Sequence, residues 1–404
     1  MSAVGPRPAA LAFARRAMAG AVAVVLAAAL PACFGDRAAE HREIRVPADA
    51  PTIQDAVDMA GPFDTIRVAD GTYAGDITVP PGKDRLTIHG EARNAVVIDG
   101  RDRTSAGITV HSDHVTVENL TLHSFQGNAL LFQRVDGFAA RYVTVWNVGG
   151  YGLYAIGSHG GVVEHSLVSG AANAAFYIGE CQQCETTISD VTALLSGLGY
   201  SGTNAGGGLV IRDSLFDRNG TGILPNSFND EANPPQRGAT FLGNSVTGSG
   251  SVPTPAGDPV DGLIGIGIGV AGGQNDVVRA NTVTGSARYG IALFATIQPQ
   301  GSPWRPHGTV VRANRVSGSG LADLAVGAGA GGGNCFEGNR FATSLPDVLE
   351  RLAPCSGPRP GPVGVTSVSH ELEISTPEAF IESGSHPPYT SMPEPPPQPE
   401  MPGS

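Results

Sequence analysis

Two tyrosines at matching positions of neighbouring segments are the first residues of this sequence that could hold a ligand. In Leu130-Leu131-Phe132, Leu153-Tyr154-Ala155 and Phe176-Tyr177-Ile178 the outer residues of each triplet are apolar. Alternation with period two predicts that they point inward and turns Leu131, Tyr154 and Tyr177 outward. Tyr154 and Tyr177 are 23 residues apart, and two rings repeating at that interval offer a platform on which a sugar can stack. The same placement also serves an aromatic ladder that only stabilises a sheet, or rings covered by inserted loops. Ile223-Leu224-Pro225-Asn226 continues the series, bringing Asn226 and the Asn229-Asp230-Glu231 loop to this face, with Glu180 at its border. Tyr154, Tyr177, Asn226 and Glu180 are therefore the candidate ligand groove.

Other polar clusters carry less. His111-Ser112-Asp113-His114 has donors for a metal, but such rapid alternation is the mark of a solvated turn. Asp213, Asp217 and Arg218 place carboxylates beside a guanidinium, which lowers a carboxyl pKa, whereas a general base needs the opposite shift. Asp258 and Asp261 offer hard oxygen ligands to calcium, though two carboxylates do not complete a site. No catalytic residue and no cofactor is identified beyond that calcium option.

The elements that position these residues follow from a repeat. Glu118-Asn119-Leu120-Thr121-Leu122, Arg141-Tyr142-Val143-Thr144-Val145 and Glu164-His165-Ser166-Leu167-Val168 recur at intervals of 23 residues. The series continues to Arg312-Ala313-Asn314-Arg315-Val316 and Glu337-Gly338-Asn339-Arg340-Phe341. One column of it ends in Asn244, Asn281, Asn314 and Asn339; two positions on, Leu122, Val145, Val168, Ala193, Phe216, Val246, Val283, Val316 and Phe341 are apolar throughout. Period-two patterning broken by glycines excludes a helical pair. It fits one turn of a parallel β-solenoid, whose coils bury an inner face only by stacking. The asparagines are expected in left-handed turns, with their amides bonded along the stack. Longer spacings predict loops from Pro225 to Gly238, Gly250 to Gly262 and Ile297 to His307. Ile53, Val57 and Ala60 lie on one helical face, predicting a short helix that caps the first coil and blocks edge pairing. Leu345, Val348, Leu349 and Leu352 predict a plug at the other end.

The run Thr52-Ile53-Gln54-Asp55-Ala56-Val57, with Asp64-Thr65-Ile66-Arg67-Val68, Asp70-Gly71-Thr72-Tyr73 and Leu86-Thr87-Ile88-His89-Gly90, resembles the start of pectin-lyase-like right-handed parallel β-helix proteins. The resemblance implies an all-β solenoid over residues 44–355 and, as a class of partner, a polysaccharide or cell-wall glycan. It does not fix an activity, since the superfamily holds lyases, hydrolases, esterases, epimerases and proteins without known chemistry. The pectate-lyase, polygalacturonase, pectinesterase and mannuronan-epimerase signatures are missing; Ser158-His159-Gly160-Gly161 lacks carboxylate partners and reads as a turn. The expectation is an exported protein that binds, and cleaves or epimerises, an extracellular polysaccharide. The alternatives are a non-catalytic surface scaffold or adhesion module, or an accessory periplasmic factor.

The ends and the cysteines bear on location. Residues 1–33 read as a signal peptide: Arg7, Arg15 and Arg16 precede the apolar stretch Ala17 to Leu30, and Leu30-Pro31-Ala32-Cys33 resembles a lipobox with Cys33 as the lipidated residue. An ordinary signal peptide with a chance cysteine is the alternative. Either predicts export, and the first predicts membrane attachment through lipid only. Four further cysteines in an exported chain predict disulfides. Cys181 and Cys335 would lie about six coils apart, roughly 29 Å at ~4.8 Å per coil, against a disulfide reach of about 7 Å. The predicted pairs are Cys181–Cys184 and Cys335–Cys355; a redox motif or half a zinc site is the other reading of Cys181-Gln182-Gln183-Cys184. Residues 356–404 read as a proline-rich disordered tail, because an extended chain of this kind buries little. Across the 404 residues the formal charge is −12, and Lys83 is the single lysine. A nucleic-acid binder needs a basic face, so that class is excluded.

Overall fold

The computed structural model describes residues 41–255, 263–296, 301–358, 360–368 and 386–403. The expected signal peptide, Cys33, Asp258 and Asp261 lie outside the described residues. From Glu43 onward the chain winds into a parallel β-solenoid of about 13 turns. Each coil gives one strand to an 11-stranded sheet and two to a 20-stranded sheet. Thr221–Asn226, Ile266–Ala271 and Tyr289–Phe294 are successive strands of the first. Thr240–Leu242 with Ser245–Thr247, then Val277–Arg279 with Thr282–Thr284, are pairs of the second. Equivalent strands bond in register, as in Thr240↔Val277↔Val310. The apolar column of the repeat fills the interior: Leu122, Val145, Val168, Ala193, Val246 and Val283 are completely buried.

The corner between the paired strands shows why the asparagines recur. Asn244, Asn281 and Asn314 each donate their backbone N–H to the Oδ1 of the next asparagine at 2.9 Å, and their Nδ2 bonds the same oxygen at 2.9–3.1 Å. Asn339 closes the series on Glu350 Oε1 of the C-terminal helix. In earlier coils serine takes the same place: Val143 N–H donates to Ser166 Oγ, and Val191 N–H to Ser214 Oγ. The left-handed residue is not the asparagine but the one before it. Gly243, Ala280, Ala313 and Gly338 have φ between 56° and 68°. The amide needs an ordinary backbone to aim along the stack, so the neighbour takes the reversal.

The N-terminal cap is the helix Ile53–Met59, with Thr52 accepting from Asp55 N–H and Ile53, Ala56 and Val57 buried against the first coil. At the other end the expected plug is smaller than the sequence predicts. In the helix Leu349–Leu352 only Leu349 is buried, whereas Val348 and Leu352 stand in solvent. One turn of helix cannot turn all four residues inward. Cys335–Cys355 ties this helix to the last coil, and Cys181–Cys184 closes a turn, both as predicted. The tail differs from its expectation: residues 386–401, extended apart from the turn Tyr389–Ser391, are docked on the solenoid, with Glu400 bonded to Arg93 and Asn94. Hydrogen bonds from the body to the tail backbone supply what apolar burial does not.

Candidate functional site

The register of the 11-stranded sheet aligns Leu131, Tyr154 and Tyr177 as the triplets predicted, and Leu130, Phe132, Leu153, Ala155, Phe176 and Ile178 line the core. The next partners in the outward column are Ser201 and Leu224. An open platform does not result. Tyr154 is half-buried and Tyr177 is 3% exposed. The rings meet edge to face, 4.8 Å apart at 79°. Tyr151, from the turn before Leu153, stacks on Tyr154 at 4.3 Å and meets Tyr177 at 5.1 Å. Gly179 is required beneath them, since a Cβ there would come within 2.4 Å of the Tyr177 hydroxyl.

The insertion that follows Asn226 covers this cluster. Asn204 fastens its start, accepting from Phe228 N–H and donating to the carbonyls of Phe228 and Glu231. Asn233 Nδ2 donates to Glu180 O at 2.8 Å, and Trp304 Nε1 braces the outer side through Asn229 Oδ1. Asn226 is therefore beneath the loop, 4% exposed, donating to Ser201 Oγ and Leu224 O. The expectation that Tyr154, Tyr177 and Asn226 line an open cleft is corrected by this loop. Of the four candidates Glu180 alone reaches the open groove, a space of about 840 Å³ bounded by His159, Glu180, Gln182, Glu185, Asn233 and Arg237.

The same loop brings a carboxyl into the tyrosine cluster. Burial first, then the nearby charges of Glu180 and Asp230, push the Glu231 carboxyl up to about 6, against a hydrogen bond with Thr203. Burial also raises the phenols: Tyr151 is pushed up to about 12, and Tyr154 and Tyr177 rise further. All three are neutral hydroxyls at physiological pH. Glu231 is thus a half-buried carboxyl whose protonated form burial favours, with Glu180 on the groove wall close enough to act on it.

The far end of the loop is anchored in the core. Gln236 N–H donates to Ser227 Oγ, and Gln236 Nε2 donates to Asp276 Oδ1 at 2.8 Å, which also accepts from Ala239 N–H. Gln236 Oε1 and Asp276 Oδ2 have no partner among the described residues. Both crowd the α-carbon of Gly273, where a Cβ would lie 2.0 and 2.4 Å from them. Two facing acceptors are satisfied when one carries a proton, and burial pushes the Asp276 carboxyl up to about 7. The protonated acid and the amide then pair through two hydrogen bonds.

The weaker clusters stay apart. Arg212–Asp213 and Arg218–Asp217 are surface ion pairs, and His114 sits in a turn with φ 58°. Among the described residues no group of three or more His, Cys, Asp or Glu is arranged to hold a metal, and no helix is long and apolar enough to cross a membrane. Tyr151 escaped the sequence reading because it precedes the strand triplet, and Trp304 because nothing in the repeat marks it.

Residues 128–296 match the family model described as a right handed beta helix region. No curated protein matches the chain in sequence. Among solved structures, an alginate lyase from Paenibacillus sp. str. FPU-7 is similar in fold, with a TM-score of 0.50 and 14% identity over 74% of this chain and 99% of that one. The A-module of a mannuronan C-5 epimerase from Azotobacter vinelandii gives 0.48 and 16%, over 72% and 92%. The chain is a right-handed parallel β-helix repeat protein.

Proposed function

We propose that this protein is exported and binds an extracellular polysaccharide along the groove between His159, Glu180 and Arg237, with Glu231 transferring a proton to or from the bound sugar. One observation carries the reading: Glu231, whose carboxyl burial raises to about 6, lies on the covering loop two residues from Asn233, which walls an open groove. A group whose pKa lies near the working pH serves as acid and base in turn. In this reading the half-buried Tyr154 offers its hydroxyl to the sugar while Tyr177 stays covered, and the Arg237 guanidinium faces a uronate carboxylate or the charge that develops when the adjacent proton leaves. Elimination and epimerisation both begin with that proton loss, and the Paenibacillus enzyme of similar fold is named for an acidic polysaccharide. Disulfides belong to an oxidising compartment outside the cytoplasm, and Cys33 would hold the chain to the membrane by lipid.

The test is a glycan array followed by absorbance at 235 nm on uronate polymers, with Glu231→Gln in parallel. Binding by both proteins and new unsaturation from the wild type alone support the reading; silence of the wild type in both assays sinks it. The depth at which Tyr177 is covered favours a second reading, a non-catalytic scaffold whose tyrosines brace the sheet. That reading predicts binding or adhesion unaffected by Glu231→Gln.

A further inference from the structure

The docked tail is read by side chains of the body in a way that specifies polypeptide. Asn94 is bidentate on one residue of the tail: Gln398 N–H donates to Asn94 Oδ1 at 2.9 Å, and Asn94 Nδ2 donates to Gln398 O at 2.8 Å. A carboxamide that matches the N–H and the C=O of one residue recognises an extended backbone, which no sugar presents. The next residue, Pro399, has no N–H to satisfy, and its carbonyl accepts from Arg93 Nη1 at 3.1 Å. Glu400 then places one carboxylate oxygen on Arg93 N–H and the other on Asn94 Nδ2, both at 2.6 Å. Met401 N–H continues to Asn119 Oδ1.

The reading residues are held in place from below. Arg93 is 1% exposed beneath the docked tail; its Nε donates to Thr144 Oγ1 and its Nη2 to Val143 O, so the body itself holds the guanidinium by two hydrogen bonds. Burial lowers its pKa to about 10, and the Glu400 charge works against that fall. Asn119 is fixed by donating to Gly90 O. Further along, the tail turn Tyr389–Ser391 packs on the strands Asp136–Val148 and Leu167–Ala171. Met392 lies where a Cβ on Gly170 would come within 2.7 Å. This surface belongs to the 20-stranded sheet and its following corner, apart from the strands that carry Tyr154 and Tyr177.

We propose that this surface is a recognition groove for an extended, acidic, proline-rich polypeptide of the type Gln-Pro-Glu, and that residues 386–401 are its resident ligand in cis. Proline suits the groove because a segment already extended loses little entropy on docking. The Glu400 carboxylate supplies the charge that the buried Arg93 requires. A ligand tethered to its own site competes at high effective concentration, so a peptide of the same sequence supplied in trans is kept out until the tail is weakened.

The experiment uses the full chain with Gln398→Gly, Pro399→Gly and Glu400→Ala, which weaken the tail without shortening it. The probe is a fluorescein-labelled synthetic peptide with the sequence of residues 391–403. Anisotropy is expected to show the peptide binding at least tenfold tighter to this variant than to the wild type. Adding Asn94→Ala is expected to abolish that binding, with circular dichroism unchanged. Equal binding to wild type and variant, or none to the variant, overturns the proposal. Competition by a polyuronate but not by unlabelled peptide also overturns it, and would make the surface a glycan site. Neither result depends on the groove beside Glu231, so the two assignments fail separately.

Discussion

Two buried polar columns run through this solenoid, and they are finished differently. In the Asn244–Asn281–Asn314–Asn339 corner every amide oxygen accepts from the coil before it, and each Nδ2 also donates to a strand carbonyl, such as Phe241 O for Asn281. At Gln236 and Asp276 two oxygens crowd the same glycine, Gly273, with no donor among the described residues. A satisfied column serves stacking. An unsatisfied one takes a proton, and here it anchors the loop that carries Glu231 over the tyrosines. The contrast teaches that the departure from the repeat at Gln236 and Asp276 coincides with the insertion that covers the tyrosines.

Breaking the finished column should cost most. Asn281→Ala leaves Asn244 N–H, one Asn244 amide proton and Phe241 O unpaired in the interior. At about 1–3 kcal/mol for each buried orphan, the expected loss is about 5 kcal/mol, read by denaturant unfolding. A loss under about 1 kcal/mol would show that the ladder is incidental to stacking.

The unfinished pair should respond in the opposite direction. Asp276 titrates near its ordinary 3.8 when unfolded and about 7 when folded. The folded state therefore holds the proton more tightly, and stability falls as pH rises from about 4 to 7 and is level above. Asp276→Asn keeps the shape and supplies a permanent donor to Gln236 Oε1. Its advantage over the wild type should grow across that window to about 4 kcal/mol at pH 8, with binding at the groove retained. A variant less stable at pH 8 would mean that the carboxylate is needed ionised.

Within the site, Glu231→Gln should lower any turnover about 100-fold while leaving binding and folding intact. The wild type should lose some stability between pH 4.5 and 6, because its folded carboxyl holds the proton longer, and Glu231→Gln should remove that slope. The smallest change is Tyr154→Phe, which keeps the ring stack on Tyr151 and removes one hydroxyl. A fewfold weaker glycan binding with unchanged melting is expected, read by calorimetry. Tyr177→Ala is unsuited to this purpose, since removing a buried aromatic costs about 3–5 kcal/mol.

The winding was legible because stacking imposes the same demand on every coil: one inward apolar position and one corner side chain that accepts from the coil before it. Leu122, Val145 and Val168 had to recur, and so did Asn281 and Asn314. The disulfide pairs followed from coil spacing alone. The site was legible only in register. Tyr154 and Tyr177 align as their triplets require, yet what covers them comes from the insertion after Asn226, whose path no periodicity constrains. The docking of Glu400 on Arg93 links residues 307 apart, and nothing in a proline-rich composition reveals that a body residue reads its backbone.

The account stands on the state of one carboxyl. A carbon-13 titration of the Glu231 side chain in the full protein, assigned by its absence from Glu231→Gln, measures it directly. A midpoint near 6 is the expected result; a midpoint at or below 4.5, the ordinary value for glutamate, would contradict the account.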